Sequence, residues 1–102
     1  MTIQELQEHV RKAWTNETYS AAFNASTIPH KDATHALVHI AKAAGKLAAI
    51  LDDADHGKAI DDDPGKYLAD LMICSARASN ALGLHLEAIV ALRLAAKLPL
   101  PK

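Results

Sequence analysis

Histidine, lysine and aspartate recur along one side of the stretch from Asp32 to Asp55, DATHALVHIAKAAGKLAAILDDAD. On a helix turning about 100° per residue, His35, His39, Lys42, Lys46 and Asp53 stand at i, i+4, i+7, i+11 and i+18 and form one polar ridge. Two kinds of chemistry suit such a ridge. Imidazoles one turn apart, with Asp32 a turn earlier, can hold Zn²⁺ or Mn²⁺. Lysines can receive phosphate oxygens as point charges, with arginine as a more directional donor. A ridge of this kind is also what an ordinary solvated helix face looks like.

The helix that must carry the ridge has an apolar side. Ala33, Leu37, Ile40, Ala44, Leu47 and Leu51 share a broad stripe, so this side is expected to face the core. Asp32 is the expected N-cap of a helix running from Ala33 to about Asp55. Gly45 in its interior costs about 1 kcal/mol relative to Ala, which predicts a close helix approach there. Asp52, Asp53 and Asp55 oppose the macrodipole at its end, so either the helix stops early or those carboxylates have partners.

Before this helix, Thr2 and Glu5 have capping-box spacing, and Ile3, Leu6, Val10, Ala13 and Trp14 recur helically, predicting a first helix over 3–14. Trp14, the single Trp, is expected to pack on the bundle. The polar run from Thr15 to Lys31, closed by Pro29, reads as a long connection with one helical turn around Tyr19 to Phe23. It serves either as a cover for a binding cleft or as an inert crossover.

After it, His56 and Gly57 open a polar loop, and Asp61, Asp62, Asp63 and Pro64 signal a strong helix start. This third helix is expected from Pro64 to about Leu82, with Gly83 as its stop. Apolar nearly all round, it should be the most buried. Its polar strip holds Lys66, Asp70 and Arg77, with Tyr67 to the side. A fourth helix runs from Leu86 to Lys97, ended by Pro99 and Pro101. The aspartates of 52–63 can collect a cation or simply solvate a loop and a cap. Cys74, in mid-helix with no histidine placed beside it, reads as a small core hydrophobe rather than a nucleophile.

The whole therefore reads as one all-α domain over residues 1–102, with the second and third helices antiparallel at its centre. Half of the 102 residues are apolar but only 4% are aromatic, so a small Ala- and Leu-based core is expected. Such helices leave apolar area for a second copy, and a homodimer or homotetramer is predicted. A formal charge of −1 offers no field for a nucleic-acid backbone. With one cysteine and no leader or membrane-spanning run, the chain reads as cytoplasmic with no membrane role, and the N-x-S/T matches at Asn16 and Asn24 as chance.

Three runs carry a resemblance to a known family. Lys42-Ala43-Ala44-Gly45-Lys46-Leu47, Tyr67-Leu68-Ala69-Asp70-Leu71-Met72-Ile73 and Leu82-Gly83-Leu84-His85-Leu86-Glu87 resemble motifs of the MazG-like all-α nucleoside triphosphate pyrophosphohydrolases. These are E-E-V-G-E-L, E-L-A-D-x-x-I and L-G-I-D-L-E or its Leu variant, and the likeness spans about Leu37 to Lys97. The resemblance implies a four-helix MazG-like bundle, assembly into dimers or tetramers, and a cleft where carboxylates hold Mg²⁺ against the phosphates.

At the matching positions the carboxylates are replaced by Lys42, Ala43, Lys46 and Tyr67, leaving Asp70. Two ammonium groups around one carboxylate oppose tight Mg²⁺ binding. The implied reading is a divergent MazG-like protein without Mg²⁺-dependent hydrolysis and with no cofactor. It keeps nucleotide or anion binding through His39, Lys42, Lys46, Tyr67, Asp70 and Arg77. The alternatives are an active pyrophosphohydrolase with its metal moved to His35, His39 and Asp70, and a purely structural interaction module. If the family register holds, Lys42 or Lys46 should form a salt bridge with Asp70 in place of the metal.

Overall fold

A computed structural model describes residues 1–14 and 30–98 of the chain. Four helices follow one another: α1 (Ile3–Ala13), α2 (Lys31–Asp55), α3 (Pro64–Ala81) and α4 (Leu86–Lys97). Among the described residues there is no strand. The expected helical turn around Tyr19 to Phe23, and Pro99 and Pro101, lie outside the described residues.

Local chemistry explains most helix ends. The Thr2 hydroxyl accepts from Glu5 N at 3.0 Å, and the Glu5 carboxylate accepts from Thr2 N at 3.1 Å, the reciprocal pair of a capping box. Asp63 caps α3 by accepting from Gly65 N at 2.8 Å, with Pro64 at the first helical position. Gly83 ends that helix at φ 68°, and Leu84 N donates back to Ser79 O at 2.8 Å.

The start of α2 departs from expectation. The cap position is His30, in the left-handed region at φ 51°, and its side chain makes no capping bond. Asp32 instead stands in the first turn, where its charge favours the positive end of the dipole. At the far end the helix does reach Asp55, and two of the three carboxylates there have exposed partners. His56 Nδ1 lies 3.6 Å from Asp52 Oδ1, and Lys58 Nζ lies 3.6 Å from Asp53 Oδ1.

Helices α2 and α3 form the principal contact, and α1 lies across α3. The face that α2 turns to its neighbours overlaps one edge of the expected stripe, since Ala33, Ile40 and Leu47 are half-buried, but is centred beside it. Ala36 and Ala43 are buried, whereas Leu37 and Leu51 are 62% and 54% exposed. A line of small residues lets two axes approach closely, and longer amphipathic side chains beside it keep their polar ends in water. Gly45 plays no part, since nothing among the described residues lies within 4 Å of where its Cβ would sit. As expected, α3 contributes more buried residues than the other helices: Tyr67, Cys74, Ala76 and Ser79. Its Leu68, Met72 and Leu82 remain about half exposed.

Buried Gln7 ties α1 to the end of α3 and the start of α4. Its Nε2 donates to Leu84 O at 2.7 Å, its Oε1 accepts from Leu86 N at 3.0 Å, and its carbonyl accepts from Asn80 Nδ2 at 3.0 Å. Helix α4 is anchored there and buries no residue of its own.

Candidate functional site

The small-residue line of α2 places the polar ridge at the edge of the α2–α3 contact rather than opposite it. A pocket of about 330 Å³ opens along that edge. His39, Lys42 and Lys46 of α2 line it together with Tyr67, Asp70 and Arg77 of α3, so the fold gathers all six candidate residues into one cavity. Heptad spacing does this on both helices, with 39, 42 and 46 on one and 67, 70, 74 and 77 on the other.

Trp14, Ala43, Ile73 and Cys74 complete the wall. Of these, Cys74 was signalled by its place seven residues after Tyr67. Trp14 was not, because its position depends on how α1 crosses α3. The Arg77 guanidinium stands 5.1 Å from the Trp14 ring centroid, so the tryptophan packs at the rim of the pocket rather than in the core.

Tyr67, 8% exposed, is held at its hydroxyl, which donates to Asp62 Oδ2 at 2.6 Å. Asp62 also meets Lys66 Nζ at 2.8 Å. The Lys66 hydrogen bond, and then that from Tyr67, hold the Asp62 carboxyl well down, at about 2. The same bond to Asp62 raises the tyrosine's pKa, so the phenol stays protonated. Lys46 Nζ lies 5.8 Å and Lys66 Nζ 5.0 Å from the Tyr67 ring centroid, within cation–π range.

The expected salt bridge to Asp70 is not formed. Among the described residues, neither Lys42 nor Lys46 meets a carboxylate within ion-pair distance, and all three side chains are exposed. Water satisfies an exposed carboxylate, so nothing compensates a long lysine for the rotamer freedom it would lose.

The metal alternative is not assembled either. His35 and His39 meet edge-on at 4.6 Å between centroids. Among the described residues no three metal-ligating side chains gather, so Asp70 does not join them. Burial, followed by the neighbouring positive charges of His39 and Arg77, lowers the pKa of His35. Burial raises the Cys74 thiol, which keeps it protonated and a poor nucleophile.

The chain matches no family model, and neither a curated protein nor a solved structure matches it.

What remains is a cavity with an electrostatic bias. Lys42, Lys46 and Arg77 supply three fixed positive charges, and His39 a fourth when protonated, against the single carboxylate of Asp70. Such a cavity offers several N–H donors to an anion and an aromatic edge beside them.

Proposed function

We propose that this chain binds a small phosphate-bearing anion, of the nucleotide class, in the α2–α3 pocket and does not hydrolyse it with Mg²⁺. The observation that carries this reading is the convergence of Lys42, Lys46 and Arg77 on one cavity with one carboxylate. Lysines and arginine bind phosphate oxygens directly, and their charges occupy the place a hard cation would need. Trp14 and Tyr67 give the same cavity apolar surface for a planar group.

The arrangement fits a divergent MazG-like bundle in which α2 and α3 run antiparallel. Two observations support that reading. Lys46, late in α2, lies over Tyr67 near the start of α3. Asp32, at the start of α2, shares a second cavity with Asn80 and Ala81 at the end of α3.

The test is calorimetric titration of the purified protein with ATP and with inorganic pyrophosphate, with and without Mg²⁺. Binding that weakens with salt and falls about tenfold or more in Lys42→Ala/Lys46→Ala is expected, the loss of two charge-assisted contacts. Mg²⁺ should add nothing to the affinity, and no pyrophosphate should be released. Metal-dependent turnover, or binding indifferent to both lysines, would overturn the proposal.

A further inference from the structure

A second cavity, of about 170 Å³, lies beside the cationic pocket. Trp14 and Arg77 line both, so the two adjoin at the Arg77–Trp14 pair. Arg11, Asp32 and Asn80 supply the rest of the polar wall of the second.

Asp32 is the residue that the fold leaves unexplained there. It is half-buried, and among the described residues its buried Oδ1 accepts no hydrogen bond and no ion pair includes it. A carboxylate oxygen withdrawn from water without a donor is destabilising, and a ligand that brings N–H groups removes that cost. Arg11 stands in the same wall with the opposite chemistry. Its Nη2 donates to Asn80 Oδ1 at 3.0 Å, which fixes the guanidinium in place, and a guanidinium has further N–H groups to give.

An acceptor and a forked donor in one small cavity match the edge of guanine. That base presents N1–H and the 2-amino group beside the acceptors O6 and N7, and arginine pairs with O6 and N7 in a bidentate manner. Adenine places an unprotonated N1 where guanine has N1–H, and a carboxylate repels it. Spacing favours a base over a sugar. Asp32 precedes Lys42 by ten residues on α2, about 15 Å along the axis, which is farther than a ribose stands from its own phosphates.

We propose that the ligand is a guanine nucleotide, with its base in this second cavity and its phosphates among Lys42 and Lys46. Asp32 accepts from N1–H and the 2-amino group, Arg11 donates to O6 and N7, and Trp14 offers the base an aromatic face. Asp32 is then a specificity-determining residue. The inference rests on the phosphate-anion reading above and adds the base to it.

Calorimetric titration of the full chain with GTP, ITP, ATP and inorganic pyrophosphate, without Mg²⁺, tests this. GTP should bind about tenfold or more tightly than ATP, the discrimination of one bidentate base contact. ITP, which keeps N1–H but lacks the 2-amino group, should fall between them. Asp32→Asn should weaken GTP about tenfold and abolish its preference over ATP, while pyrophosphate stays within about twofold because its contacts lie with the lysines. Should Asp32→Asn fail to fold, the order of the wild-type affinities decides. GTP no tighter than ATP, or a preference unchanged in Asp32→Asn, would overturn the guanine assignment even where pyrophosphate binds as expected. A chain that binds none of the four ligands would overturn the phosphate reading and this inference together.

Discussion

Asp62 holds Tyr67 from five residues away: the phenol donates to Asp62 Oδ2 at 2.6 Å while its ring forms a wall of the cationic pocket. Lys66 meets the same carboxylate at 2.8 Å, so the residues leading into α3 position a side chain that the pocket uses. The carboxyl is held at about 2, below its ordinary 3.8, first by the Lys66 bond and then by Tyr67. Its contribution to stability is therefore complete above its unfolded value and lost as pH falls from 3.8 towards about 2. Acid unfolding of Asp62→Asn should lack that component, and Tyr67→Phe should raise the Asp62 pKa in an NMR titration. An unmoved Asp62 titration in Tyr67→Phe would refute the coupling.

His35 works in the opposite direction. Burial and the positive charges of His39 and Arg77 depress its pKa below 6.5. The unfolded chain then binds the proton more readily, so stability is full above 6.5 and declines as pH falls through the folded value. His35→Gln should flatten the fall in melting temperature below pH 6.5.

Buried Gln7 bonds both Leu84 O and Leu86 N. Gln7→Ala leaves these backbone groups without their side-chain partner and should cost about 1–3 kcal/mol in urea unfolding. Faster amide exchange at Leu86 should accompany it, because that amide is the one released.

Two small residues of α2 should respond with opposite sign. At Gly45 a Cβ meets nothing within 4 Å, so Gly45→Ala should stabilise by about 0.5–1 kcal/mol through helix propensity. Ala36 is fully buried, so Ala36→Leu should destabilise by about 1–3 kcal/mol through overpacking. Denaturant midpoints of the two variants on either side of wild type check both.

Asp70 is exposed and forms no ion pair among the described residues, so Asp70→Asn should barely change the melting temperature. It removes the one carboxylate of the pocket, and affinity for pyrophosphate should rise by a few-fold, most clearly at low salt. Weaker binding in this variant would mean that the carboxylate contacts the ligand.

Much of the architecture was legible along the chain because its causes are local. Thr2 and Glu5, Asp63 and Pro64, and Gly83 act within one turn of themselves, and they set three ends of two helices, α1 and α3, almost where spacing placed them. The start of α2 was not legible, since nothing in the sequence marks His30 for a left-handed cap. Spacing puts the pocket residues on one strip of each of two helices, and the resemblance to the MazG-like motifs is what drew the two strips together into one cleft. Trp14 could not be placed there, because its contact with Arg77 joins residues 63 positions apart.

By itself the sequence determined the helices, the side of each that is polar or apolar, and the absence of a basic field, for these depend on residue type and spacing alone. Tertiary structure decided which side of α2 meets α3. Both its polar ridge and its apolar stripe satisfied helical periodicity equally well. Packing chose the edge between them, where Ala36 and Ala43 are buried and Ile40 and Leu47 half-buried. That rotation turned a solvated ridge into the wall of a pocket, left Asp70 to water instead of to a lysine, and left Leu37 and Leu51 of the apolar stripe exposed.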